Sequence, residues 1–177
     1  MRAPPEPVQV VKRRRDRALR ALVEGVPYSR FLGIDVARHG DELTAVMPFQ
    51  DKLIGNPTLP ALHGGVTASF LEVTALIELS WAMLWDDLES GGLDPETLSP
   101  ETLPRLPKTI DFTVDYQRTG LPRDAYARAR VARSGRRYAS VQVEAWQDNR
   151  LRPFATAVVN FLMPPVMTPD ERPGGGP

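Results

Sequence analysis

Chemistry in this chain points first to His63-Gly64-Gly65 and to Glu72, nine residues after the histidine. Glycines at a helix start leave backbone N–H groups bare, aimed at whatever lies there. Glu72 sits in a nearly continuous apolar run, residues 59–85, in which only Glu72 and Glu78 are charged after Gly64. An acid in such surroundings is costly unless it is paired, protonated or used. The pattern therefore describes a site with amide donors at one end and a carboxylate further along. Other chemistries fall away. No cysteine is present, which removes disulfides, thiolate metal sites and a thiol nucleophile. Two histidines, His39 and His63, are too few for a histidine-built metal centre, so no cofactor is expected. No G-x-S-x-G occurs, which disfavours a serine hydrolase.

The elements that must position these groups follow from periodicity. A turn with Gly55, Asn56, Pro57 and Pro60 leads into a helix over about residues 63–86. Before it, residues 1–8 carry three prolines and read as a loose tail, and residues 9–24 read as a helix with Arg13, Arg14, Arg17 and Arg20 on its outer face. Strands are expected over 34–38 and 42–49, joined by a turn at His39-Gly40-Asp41. After the helix, residues 86–107 hold six acids, four prolines and the small repeat PETL-S-PETL, and read as a loop excursion. Four runs then alternate with period two: 109–117, 125–133, 138–147 and 154–163. In the first, Ile110, Phe112, Val114 and Tyr116 are expected to face inward. Residues 164–177, rich in proline and glycine, read as a disordered tail. Strand–strand–apolar helix–four strands is satisfied by one curved antiparallel sheet of about six strands wrapped around the helix, an α+β arrangement. The domain organisation is a tail and helix over 1–24, one domain over 25–163, and the tail 164–177.

Composition narrows the function classes. The 177 residues carry 22 basic and 22 acidic side chains, a net charge of zero. A neutral chain is a poor general nucleic-acid binder, since affinity there comes largely from neutralised phosphates. Residues 62–85 are long enough to span a membrane. His63, Glu72 and Glu78 make that expensive, and a helix apolar on all sides is more simply one wrapped by a sheet. With no apolar h-region in residues 1–25, a cytoplasmic protein is expected.

Asn56, His63-Gly64-Gly65 and Glu72, followed by four strands, resemble the hotdog-fold acyl-CoA thioesterases of the phenylacetate-pathway and 4-hydroxybenzoyl-CoA type. The F-L-G-I entry at 31–34, the V-A-R-S-G-R-R hairpin and the A-T-A-V-V-N-F last strand agree, and the resemblance covers residues 25–163. It implies a hotdog fold and hydrolysis of an acyl-CoA to free acid and CoA. Asn56 stands seven residues before His63, where such enzymes usually have a polar residue six before. The family also implies a dimer or a dimer of dimers.

Spacing supports the dimer independently. Gly64 and Glu72 lie eight residues apart, about 12 Å along a helix. They cannot share one thioester carbon within a chain, so a common substrate requires two subunits. In this reading the Gly64 N–H holds the developing oxyanion and Gly65 permits close approach. Glu72 of the partner subunit attacks the carbonyl or activates water, Asn56 holds that water, and His63 fixes the turn. Seven arginines between 118 and 137 face one acid, Asp124. Ser134, Gly135, Arg136 and Arg137 in the hairpin are candidates for the phosphates of CoA. Glu78, Trp81 and Trp85 read as structural. Two alternatives stay open: a non-catalytic acyl-CoA-binding protein, and a hotdog acyl-thioester dehydratase or hydratase.

Overall fold

The computed structural model describes residues 6–94, 96–99 and 102–165. Helices α1 (Val8–Glu24) and α2 (Pro27–Leu32) precede strands β1 (Asp35–His39) and β2 (Glu42–Met47). A short 3-10 turn and a two-stranded ribbon, β3 (Ile54–Asn56) with β4 (Ala61–Leu62), deliver the chain to α3 (Gly64–Glu89). Strands β5 (Lys108–Tyr116), β6 (Ala125–Ser134), β7 (Tyr138–Trp146) and β8 (Ala155–Leu162) complete the fold.

One antiparallel sheet of six strands, in the order β1-β2-β6-β7-β8-β5, packs around α3 as expected for a hotdog fold. The ribbon β3–β4 is an addition: the run read as a turn pairs Ile54 with Leu62 and Asn56 with Ala61. Three short residues and a two-residue partner carry too little alternation to be seen as strands. Helix α3 also runs three residues past its expected end, through Glu89.

Helix α3 has apolar residues on all sides because it is covered on several. It packs chiefly on β6, β7 and β8 and is backed by α1. Phe70, Leu71, Ala75, Ile77, Leu79 and Leu88 are buried, as are Ala127, Val141, Val143 and Val159 on the sheet. The helix is long and apolar enough to cross a membrane, with mean hydropathy 1.3, yet its apolar surface is spent on the sheet. One stripe stays partly open, running Gly65, Ala68, Ser69, Glu72, Leu76 and Met83.

Arg15, outside the arginine face expected for α1, ties that helix to the end of α3. Arg15 makes two 2.9 Å hydrogen bonds to Glu89 and lies 4.5 Å over the ring of Trp85. Trp81 and Trp85 meet edge to face and are packing residues. In the excursion after α3 the Thr97 N–H donates to the Asp94 carbonyl and the Thr102 N–H to the Ser99 carbonyl, both at 3.1 Å. Each turn is followed by a leucine, Leu98 and Leu103, that packs on the core. Pro7 precedes α1, whose first residue falls within the run read as a loose tail; residues 166–177, most of the tail read as disordered, lie outside the described residues.

The expectation for β5 needs correction. A register shift between Thr109 and Asp111 breaks its alternation. Ile110 and Tyr116 are 52% and 54% exposed rather than inward. The reason is topological: β5 is the sheet's edge, paired only with β8.

Candidate active site

The start of α3 is fixed from three directions. His63 is the residue preceding the helix, and its Nδ1 accepts the Gly65 N–H at 2.9 Å. That leaves the proton of a neutral ring on Nε2. The His63 N–H donates to the Leu53 carbonyl (2.9 Å) and the Leu62 N–H to the Gly120 carbonyl (2.8 Å). Gly55 lies against the histidine backbone, where a Cβ would stand 2.7 Å from the His63 Cα. Gly65 is similarly constrained, since a Cβ there would meet His63 Nδ1 at 3.0 Å. With the Gly65 amide taken by the cap, the Gly64 N–H has no acceptor among the described residues, at the positive end of a 26-residue helix.

The residues expected at the site separate into two groups. His63, Gly64 and Gly65 are together and exposed at the helix start. Asn56 is close by in β3, but its Oδ1 accepts the N–H groups of Thr58 (3.0 Å) and Leu59 (3.2 Å), shaping the turn. Glu72 lies two turns along α3, half-buried on the open stripe, with no hydrogen bond or ion pair among the described residues. Glu78 points elsewhere, toward Val36, Leu43, Ala45 and Ala129 beneath β1 and β2. Burial without a partner pushes its carboxyl up to about 7.

A residue that sequence reasoning assigned to the core belongs here. The Tyr116 hydroxyl donates to the Gly64 carbonyl at 2.7 Å, joining the end of edge strand β5 to the start of α3. A hydroxyl-bearing aromatic ending a strand was the available signal.

The arginine-rich stretch also divides. Arg118 bonds the Pro153 carbonyl, Arg123 pairs with Asp148, Arg128 with Glu42, and Arg130 with Gln142. Arg133, Arg136 and Arg137 have no side-chain partner among the described residues and are exposed around the β6–β7 hairpin with Ser134 and Gly135. Near this hairpin and the C-terminal end of α3 opens a cavity of about 800 Å³, lined by Gly135, Arg136, Met163, Ser80, Met83 and residues of the excursion that include Leu93, Leu98, Leu103 and Leu106. No three His, Asp or Glu side chains converge as metal ligands among the described residues.

Comparison with known proteins gives this geometry a family. The model of the "Acyl-CoA thioesterase N-terminal domain" family matches residues 56–162. The medium/long-chain acyl-CoA thioesterase YigI of Escherichia coli is 31% identical over 147 residues, covering 80% of this chain and 88% of that protein. A crystal structure of a Chromobacterium violaceum protein is 31% identical, covers 90% of this chain and all of that one, and superposes with a TM-score of 0.59. A putative thioesterase of Ralstonia eutropha, described as phenylacetic acid degradation-related, shares the fold at 20% identity, 84% and 98% coverage and a TM-score of 0.59. The helix start, the wrapped α3 and these relatives agree: the chain belongs to the hotdog-fold acyl-CoA thioesterase family and is a thioester hydrolase.

Proposed function

We propose that the chain hydrolyses medium- to long-chain acyl-CoA, without a metal, at composite sites formed by two subunits. The acyl range is carried over from the name of the YigI relative. The observation that supports the two-subunit site most strongly is the uncovered edge of β5 with Tyr116 bonded to Gly64. An exposed nine-residue edge strand is a template for pairing. Antiparallel pairing with a second copy sets the partner's Tyr116 end, and its helix start, beside this chain's Lys108. Lys108 pairs with Leu162, at the end of the sheet that holds Arg136, Arg137 and Met163.

In this dimer the Gly64 N–H of one subunit polarises the thioester carbonyl and stabilises the oxyanion, a contribution of about 3 kcal/mol for one donor. Glu72 of the partner subunit, left without a protein partner, attacks the carbonyl carbon or takes a proton from the attacking water. The C–S bond then breaks: on the water route Glu72 returns the proton it took to the leaving sulfur, giving free acid and CoA thiol, and on the nucleophile route water hydrolyses the Glu72 mixed anhydride, restoring the carboxylate and supplying the proton for the thiol. His63 holds the helix start through its cap, Asn56 lies beside the water's path, and Gly65 keeps the approach open. Arg136 and Arg137, with Ser134 and Gly135, bind CoA phosphates. Two such dimers pair into a tetramer, and the compartment is the cytoplasm.

Thiol release from a panel of acyl-CoAs, run with wild type and Glu72→Gln, tests the reading. The expected result is wild-type turnover and a loss of about a hundredfold or more in kcat for the variant, with unchanged circular dichroism. Equal turnover by both proteins removes Glu72 from the chemistry. Binding of acyl-CoA without turnover by wild type makes the chain a binding protein instead.

A further inference from the structure

Between the helix start and the Glu72 carboxylate, the open stripe of α3 carries one hydroxyl, that of Ser69. We infer that Ser69 holds the attacking water against Glu72 of the same chain, which commits the hydrolysis to the water route. This rests on the thioesterase reading with Glu72 as its base, and adds a residue to it.

Ser69 and Glu72 are three residues apart, so their side chains are neighbours on one face, with Cβ atoms about 5–6 Å apart. Helical side chains lean towards the N-terminus. Glu72 therefore reaches back towards Ser69 and away from Leu76. Two hydrogen bonds of about 2.8 Å each, meeting at one water, bridge oxygens at such a separation.

The Ser69 hydroxyl is also free. It is half-buried and has no hydrogen-bond partner among the described residues. A hydroxyl inside a helix can bond the carbonyl four residues back, as Thr74 does to Phe70 at 2.7 Å. That of Ser69 does not, so its lone pairs face whatever enters the stripe.

The chemistry asks for an acceptor. A water that gives one proton to Glu72 must hydrogen-bond its other proton elsewhere. The acceptor atoms of the other polar residues expected at the site are taken. Asn56 Oδ1 accepts the Thr58 and Leu59 N–H groups, and His63 Nδ1 accepts the Gly65 N–H. What remains on both, the Asn56 amide nitrogen and the Nε2–H of a neutral His63, only donates. Thr74 is buried and bonded, and Ser80 lies eight residues on, about 12 Å along the helix. Ser69 is left as the acceptor.

The step then balances. Water gives one proton to the Glu72 carboxylate and points the other at Ser69 Oγ, which turns an oxygen lone pair towards the thioester carbon. The C–O bond forms as the carbonyl π pair moves onto oxygen, beside the Gly64 N–H of the other subunit. On collapse the C–S pair leaves with sulfur, the Glu72 proton passes to it, and the products are free acid and CoA thiol. Ser69 is chemically unchanged throughout.

The test follows loss of thioester absorbance from octanoyl- and dodecanoyl-CoA for wild type, Ser69→Ala, Ser69→Cys, Ser69→Thr, Glu72→Gln and the Ser69→Ala/Glu72→Gln double variant. Alanine favours a helix more than serine does, and cysteine nearly keeps the size with a weak acceptor. Thermal melting and light scattering check that fold and assembly are unchanged. Alanine and cysteine should each lower kcat about tenfold, as loss of one water contact does, with KM within about twofold. Threonine, which restores the acceptor, should recover most of kcat. Ser69→Ala added to Glu72→Gln should cost less than about twofold more, since Ser69 acts only on water that Glu72 activates. A single turnover of wild type in heavy-oxygen water should place solvent oxygen in the product acid.

Unlabelled acid from that turnover means that a Glu72 oxygen attacked first, and overturns the role of Ser69. Unchanged kcat in folded Ser69→Ala or Ser69→Cys overturns it too, as do losses that multiply in the double variant. In each of these cases hydrolysis by wild type leaves the thioesterase reading standing. No hydrolysis of either substrate by wild type overturns both.

Discussion

The Tyr116 hydroxyl donates a 2.7 Å hydrogen bond to the carbonyl oxygen of Gly64, so the last residue of the edge strand holds the first residue of the central helix. Whatever pairs with β5 therefore acts on the helix start through one side chain. Tyr116→Phe should keep the fold, losing about 1 kcal/mol or less. The oxyanion donor is then less firmly held, and kcat should fall about fivefold, the equivalent of ~1 kcal/mol in the barrier. Steady-state kinetics and a melting curve on the same samples check both.

His63 acts as a helix cap through Nδ1. His63→Ala should cost about 1 kcal/mol of stability, as loss of a cap usually does, and lower kcat with it. His63→Asn, which supplies a carbonyl oxygen for the same amide, should recover most of the melting temperature. A histidine needed for proton transfer would leave the asparagine variant stable but as inactive as the alanine one.

Glu78 makes stability depend on pH. Its carboxyl is raised by burial from 4.5 to about 7, so between those values the folded state holds a proton that the unfolded chain has lost. Stability is therefore full below about pH 4.5, falls as pH rises, and levels off above about 7. Glu78→Gln should match wild type at the acid end and exceed it by up to about 3 kcal/mol above neutrality. Urea unfolding at acid and alkaline pH measures the difference.

Strand β5 is where subunit pairing should be most easily broken. Ile110 is half exposed on that edge. Ile110→Lys places a charge there, a common way of blocking edge pairing, and should yield a monomer by light scattering. Activity should fall with dimer content, because within one chain the amide and the carboxylate lie about 12 Å apart along the helix and cannot act on one substrate. A monomer with full turnover would show that one chain suffices.

The fold was legible because α3 and strands β6 and β7 carry clean periodicities, with a weaker one in β8: an all-round apolar helix and alternation such as Val141, Val143 and Ala145, all buried. The helix-start glycines and Glu72 were legible for a related reason, since a charge or paired glycines stand out in an apolar run. What stayed hidden depends on topology. Ile110 and Tyr116 read as core because a period of two says which residues share a face, not whether anything covers it. The cavity was invisible because its wall comes from turns of a proline-rich segment whose leucines have no regular period. The three hairpin arginines without side-chain partners among the described residues differ from Arg118, Arg123, Arg128 and Arg130 only in what lies across from them.

Helix α3 also bears on how the chain is made. Four of the six strands of its sheet are encoded after it. At ~5–20 residues per second, the ribosome needs several seconds to supply them. During that interval an apolar helix of 26 residues has only the elements encoded before it, chiefly α1, α2 and β2, to shield it. Glu72 and Glu78, its only charges before Asp86, then help keep the nascent segment in water before the sheet closes over it.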